Sequence, residues 1–247
     1  YASLSAEHEE GDRTAMSDTS RNQQFRRHGG GSLRYNAPLS RDRAARLARA
    51  VASTRPGLVL DVGCGSGALL HDVLLAAPTA RGRGIDVDPV ATERAARAAR
   101  TLGLADRVTH DPVDAGQSAL RADAVLCVGS SHAVGGLEGL LHDVDADTML
   151  VGEGFWYGSQ PVAWRDVFGP LPEGLGGLID RSHGAGWTVV DAEASDPWEW
   201  DAFERGWGAG VRRSHLPGAA AFADARWDAY ARGYRGRLGF GWLLLQR

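Results

Sequence analysis

The sequence predicts an α/β fold, a doubly wound and mostly parallel sheet with helices on both faces. Three observations carry this reading. A short apolar run, "GLVLDVG", is closed by glycines and followed by a helical pattern; runs of that kind alternate with helical segments up to about residue 154; and two more strand patterns come late in the chain. A chain of 247 residues can bury one full core, because single cores keep growing up to roughly 250 residues. One domain over residues 25–247 is the expectation.

The elements follow in order. After Pro38, Ser40 is placed to cap "RDRAARLARAVAS", whose Ala44, Leu47, Ala48 and Val51 share one helical face before Pro56-Gly57 ends it. "GLVLDVG" reads as a buried parallel strand and "SGALLHDVLLAA" as the helix packed on it. "GRGIDVD" is a second strand, and Asp88-Pro89 supply the N-cap and first residue of the helix "PVATERAARAARTLG". "DRVTH", "DAVLCVG" and "DTMLVGE" are three further strands, the last two separated by a helix around residues 136–143. Beyond residue 154, "PEGLGGLIDRSHGAG" is a weak helix before the strand "WTVVDAE". Two helices, in "DPWEWDAFERGWGAGVRR" and "AAAFADARWDAYARGYR", then precede the final strand "LGFGWLLLQR".

Residues 1–24 are polar and aperiodic and are expected to be a disordered or loosely docked tail, with Met16 as an internal start. "RRHGGGS" reads as a short low-complexity linker.

Composition narrows the partners. A formal net charge of −4 supplies no general attraction for a polyanion, so nucleic acid is not expected, and the basic residues are all arginine. Cys64 and Cys127 lie in apolar strand contexts and read as small buried hydrophobes in a reducing compartment. No stretch has the apolar core of a signal peptide or the roughly 18 apolar residues of a membrane span, so a cytoplasmic protein is expected. "LLHDVDADT" gathers His142, Asp143, Asp145 and Asp147, but it lacks the glycine and distal glutamate of a calcium loop and reads as a solvated turn; no metal is expected.

The stretch "VLDVGCGSGALL" bears on function and fits two ligands. Gly63, Gly65 and Ala68 satisfy the loose dinucleotide fingerprint; Asp61, Gly63, Gly65 and Gly67 also form the acidic, glycine-spaced loop of an S-adenosylmethionine site. Either ligand needs a turn that admits close backbone approach and a helix N-terminus that offers free N–H groups. Asp86, at the end of the next strand, serves both, since a carboxylate accepts ribose hydroxyls. Three features favour the sulfonium cofactor: a helix precedes the glycine strand; Asp61 stands where an acid can face a cationic amino group; and Asp114 in "RVTHDPVDA" follows the third strand, where it can accept from an adenine amino group.

"VLDVGCGSG", "GIDVD", "RVTHDPVDA" and "ADAVLCVGSSHAVGG", in that order, resemble the successive motifs of class I S-adenosylmethionine-dependent methyltransferases. The resemblance spans residues 38–155; "WTVV" and "LGFGWLLLQ" are similar to the late hairpin of that fold, and the C-terminal stretch looks like a group of actinobacterial-type methyltransferases. It implies a Rossmann-like seven-stranded sheet with a late antiparallel strand, a lid at residues 25–53 and substrate-pocket helices within residues 155–235. It also implies that Asp61, Gly63, Gly65 and Gly67 cradle the methionine and ribose of the cofactor, Asp86 the ribose and Asp114 the adenine. For Asp86 the alternative is a strand-end cap, and for Asp114 a solvated turn acid.

Methyl transfer is an in-line displacement in which positioning and exclusion of water supply much of the rate, and a protein base is optional. His132 in "GSSHAVGG", past the fourth strand, is the candidate base or substrate anchor, against a structural role at the next helix. Glu153, at the end of the fifth strand, is the second catalytic candidate, placed to bind a substrate amine or tune His132, or else to pair with an arginine of the lid. Tyr35 and Trp156 are the substrate-binding candidates, as aromatic walls that dry a pocket or face a cation, against a core role. The expected activity is methyl transfer to a small molecule by a monomer or homodimer, with S-adenosylhomocysteine as by-product. The alternatives are another use of the same cofactor, such as cyclisation or a different group transfer, and a non-catalytic binding module.

Overall fold

The computed structural model describes residues 18–247. Its centre is a seven-stranded sheet of β1 (Leu58–Val62), β2 (Arg81–Ile85), β3 (Val108–Asp111), β4 (Ala124–Val128), β5 (Thr148–Trp156), β6 (Thr188–Ala194) and β7 (Leu238–Gln246). The spatial order is β3-β2-β1-β4-β5-β7-β6. The first five strands are parallel, and β7 runs antiparallel to both neighbours, β5 and β6. The order reverses between β1 and β4, which opens a crevice at their carboxyl ends.

Helices cover both faces, as the apolar runs of the central strands require. On one face lie α2 (Arg41–Ser53), α3 (Ala68–Ala76) and α4 (Pro89–Thr101); Leu47, Val51, Leu70, Leu74 and Ala99 pack there with Leu126 and Leu150 of the sheet. On the other lie α5 (Gly136–Asp143) and α7 (Gly174–Gly184), with Leu137, Leu140, Leu141 and Leu178 against Val62, Val125 and Val151. Burying each such leucine or valine contributes about 1.5–3 kcal/mol. The short α6 (Arg165–Phe168) and the helices α8 (Pro197–Arg212) and α9 (Ala219–Ala229) fill the insertion on either side of β6.

The N-terminal boundary differs from expectation. Residues 1–17, with Met16, lie outside the described residues, whereas Asp18–Gly31 form a helix, α1, that includes the last part of the expected tail and most of the "RRHGGGS" linker. The cause is tertiary. Phe25 is buried against Phe222 of α9, with ring centroids 4.8 Å apart, and α1 lies directly on α8. Glycines on both helices permit the contact: a Cβ on Gly29 would fall 2.3 Å from the Trp207 ring, and one on Gly210 would fall 2.7 Å from the His28 carbonyl oxygen.

A buried ion cluster fixes the insertion to the sheet. Glu199 of α8 accepts the Arg43 guanidinium of α2, the Ser40 N–H at 2.8 Å and the Asp196 N–H at 2.8 Å, so one carboxylate serves the N-terminal ends of two helices. Burial raises the Glu199 pKa, but the Arg43 and Ser40 contacts more than offset it and the net direction is down.

Candidate functional site

A cleft of about 660 Å³ opens at the carboxyl ends of β1 and β4, between the glycine loop after β1 and the segment that follows α1. Asp61, Gly63, Gly65, Asp86, Asp114, His132 and Tyr35 all line it.

The glycine loop is built for close approach. Gly63, Gly65 and Gly67 have φ of 70°, 52° and 71°, a region closed to most side chains, and a Cβ on Gly65 would meet nothing within 4 Å, so the turn faces open cleft. The Gly63 and Cys64 N–H groups both donate to the Ile85 carbonyl, at 2.8 and 2.9 Å, which binds the loop to the end of β2. Gly67 stands at the N-terminus of α3 and does not itself line the cleft.

Asp86 clasps this loop. One carboxylate oxygen accepts the Gly65 N–H at 2.9 Å and the other accepts the Asp88 N–H at 2.9 Å, which leaves further lone pairs for a ligand hydroxyl. Asp61 is different. It is buried in β1, and among the described residues no cation or hydrogen-bond donor reaches its carboxylate. Burial, with the nearby Asp86 charge, pushes its pKa up to about 7. A buried carboxylate with no partner is costly, and a cationic ligand relieves the cost.

Asp114 caps a short 3₁₀ turn, accepting the Gly116 N–H at 2.9 Å, with its other oxygen only 3.4 Å from the Gln117 amide. It combines the capping role with a place on the cleft wall. Beneath the loop, His71 of α3 and His110 of β3 meet nitrogen to nitrogen, Nε2 to Nε2, at 3.1 Å. Burial lowers both pKa values, that of His71 to about 4.

The turn after β4 lines the cleft through Gly129, Ser130, His132 and Ala133, whereas Ser131 and the residues of β5, Glu153 included, stand behind that lining. Ser130 donates to the Val62 carbonyl at 2.7 Å and joins that turn to the glycine loop. Ser131 donates to Glu153, whose other oxygen accepts the Gly154 N–H at 2.9 Å. His132 is exposed at the cleft and, among the described residues, has no side-chain partner. The two serines are the residues that sequence reasoning missed; "GSSH" carried their signal, but their partners lie on distant strands.

Two expectations on this side change. Glu153 does not end β5, because pairing with β7 carries the strand on to Trp156 opposite Leu238. Trp156 is therefore not at the cleft: it is 1% exposed, packed with Tyr230, Tyr234 and Leu238. Tyr35 lines the cleft, and its hydroxyl donates to Asp72 of α3 at 2.5 Å.

Residues 60–148 match the family model of a methyltransferase domain. No curated protein matches the sequence. Solved structures do. A S-adenosylmethionine-dependent methyltransferase from Geobacter sulfurreducens, in complex with S-adenosyl-L-homocysteine, is 27% identical with a TM-score of 0.77, over 91% of this chain and 98% of that one. One from Thiobacillus denitrificans with the same ligand is 26% identical with a TM-score of 0.75, over 90% and 97%. YjhP of E. coli is 25% identical with a TM-score of 0.76, over 91% and 100%.

Proposed function

We propose that this chain, a class I S-adenosylmethionine-dependent methyltransferase, delivers its methyl group to a small-molecule acceptor held between the cofactor cleft and the segments that flank it. The observation that carries the reading is the buried Asp61 carboxylate, unmatched by any cation among the described residues, beside the Asp86-clasped glycine loop. A dinucleotide's pyrophosphate would bring negative charge to that carboxylate; a cofactor with an amino group and a sulfonium brings positive charge.

The residues present fit such a cofactor. Asp61 would face its amino group, Gly63, Gly65 and Gly67 would let the backbone approach, Asp86 would take ribose hydroxyls and Asp114 the adenine amino group. When bound, the cofactor supplies an electrophilic methyl group. The protein's part is placement and exclusion of water. Arg27 pairs with Asp88 at 3.3 Å, Arg94 donates to the Gly31 carbonyl at 2.7 Å and Ser66 donates to the Arg34 carbonyl at 3.0 Å; together they hold the N-terminal segment over the cleft. These contacts support the part of the expected 25–53 lid that precedes α2, since α2 itself packs in the core; His132, on the cleft wall, is the group proposed to meet the acceptor, with Glu153 joined to the same turn through Ser131. The proposed protein is a single domain acting as monomer or homodimer; the acidic net charge and a cleft of small-ligand size support a small-molecule acceptor over nucleic acid. Among the described residues no helix is long and apolar enough to cross a membrane.

Calorimetric titration with S-adenosylmethionine, S-adenosylhomocysteine and NAD in parallel tests the reading. Micromolar binding of the two sulfur compounds alone is the expected result; NAD binding, or none, overturns it.

A further inference from the structure

A second cavity, of about 560 Å³, is a groove between α2 and α3. Arg41, Ala45, Ala48 and Arg49 give it one face of α2, and alanine at two of these positions leaves space against Leu75 and Ala76 of α3. Its end wall is Arg34 and Tyr35, the only two of its lining residues that also line the cofactor cleft. The charge of the groove is one-sided. Among the described residues Asp72 is the one acid in its lining, and that carboxylate is already engaged, by the Arg34 guanidinium at 2.6 Å and by the Tyr35 hydroxyl at 2.5 Å. Arg41 and Arg49 have no acid and no hydrogen-bond acceptor among the described residues. Two uncompensated guanidiniums thus border one apolar-floored groove in a chain whose formal net charge is −4. Walls of low dielectric focus the field of such like charges on whatever enters.

We infer that the α2–α3 groove is a second ligand site, separate from the cofactor cleft, for an anion with a short apolar body. Arg41 and Arg49 take the anionic head, a carboxylate or a phosphate ester, and Ala45, Ala48, Leu75 and Ala76 take the body. The guanidinium fork matches the paired oxygens of either head. The groove has the volume of a small-molecule site. A cationic ligand would meet only Asp72, whose charge Arg34 already neutralises, and would be repelled by the other two arginines. A neutral ligand would leave both guanidiniums to water. The site stands apart from the methyl-transfer reading, since neither Arg41, Arg49 nor Ala45 lines the cofactor cleft. The two cavities nonetheless share a wall: the Arg34 carbonyl accepts the Ser66 hydroxyl of the glycine loop at 3.0 Å, so an occupant of the groove rests against the segment that borders the cofactor cleft.

Calorimetric titration of the full chain, without cofactor and at low salt, tests the site. The probes are octanoate, octyl phosphate, inorganic phosphate, octanol and octylamine, each below the concentration at which it forms micelles. Octanoate and octyl phosphate should bind, octyl phosphate more tightly than inorganic phosphate, and octylamine and octanol should not; added salt should weaken the two anions. Arg41→Gln and Arg49→Gln should each lose about threefold to tenfold in octanoate affinity, and the double variant more. Ala45→Phe, which fills the groove and keeps both arginines, should lose the octyl compounds yet keep any binding of inorganic phosphate. A thermal melt of each variant equal to wild type assigns these losses to the site and not to the fold. Octylamine or octanol binding as well as octanoate, anion affinity undiminished in the double variant, or no binding of either octyl anion by wild type overturns the proposal. None of these outcomes depends on whether S-adenosylhomocysteine binds, which the titration of the cofactor cleft decides separately.

Discussion

Asp86 and Gly65 are joined by a 2.9 Å hydrogen bond between the end of β2 and the turn after β1, so the residue expected to take the ribose also holds the loop that would surround it. Asp86→Ala therefore removes two things at once. Hydrogen bonds to a charged partner contribute about 1.5–3 kcal/mol each, and affinity for S-adenosylhomocysteine should fall at least about tenfold. Asp86→Asn, which keeps one acceptor for Gly65, should lose less. Calorimetry of the two variants separates loop support from ligand contact; equal losses would show that loop support is not part of the effect.

Asp61 links proton and cofactor binding. Its pKa is near 7 in the folded apoprotein against an ordinary value near 4 when unfolded, so between those values the folded state holds the extra proton and stability falls as pH rises. Asp61→Asn should be more stable than wild type at pH 8, by up to ~4 kcal/mol, with the gain vanishing near pH 4 in urea melts. Binding of a cation needs the ionised form, so wild-type affinity should weaken as pH drops below 7. Calorimetry in buffers of different ionisation enthalpy should show proton release on binding at pH 6.5, absent in Asp61→Asn.

The His71–His110 pair acts with the opposite sign. The folded pKa of His71 is lowered to about 4, so its contribution is complete above about 6.5 and is lost as pH falls toward 4, where the unfolded chain binds protons that the folded one refuses. Urea stability should decline over that window, and His71→Gln should flatten the decline.

Gly29→Ala tests the seat of α1. Its Cβ would meet the Trp207 ring at 2.3 Å, and since the ring is buried the helices must part. Overpacking of this kind costs about 1–3 kcal/mol. Because Gly30 and Gly31 line the cofactor cleft one turn end away, S-adenosylhomocysteine affinity should fall with it, and amide exchange in α1 should quicken.

What the sequence revealed was what neighbouring residues decide. The apolar run of β1, the glycine turn and the Ser40 and Asp88 caps are encoded within a few positions, and the structure has Ser40 accepting from Arg43 and Asp88 from Val90. The helix α1 was illegible because three glycines near a helix end argue against it locally, while the argument for it comes from Trp207 and Phe222. Trp156 was misplaced for a related reason: nothing in "GEGFWYG" tells that β7 will draw it into the strand. Ser131 and Glu153 each stood in a motif, but their contact exists only across two parallel strands.

The position of β7 between β5 and β6 also orders assembly in time. Synthesis from the amino end delivers the five parallel strands first, and β5, with Met149, Leu150 and Val151, stands as an open edge until residues 238–246 arrive to pair with it. The strand that closes the sheet is thus the last to be made, and β6 has no partner until then. An edge so apolar is a template for other chains, and a product cut short before Leu238 would display it permanently.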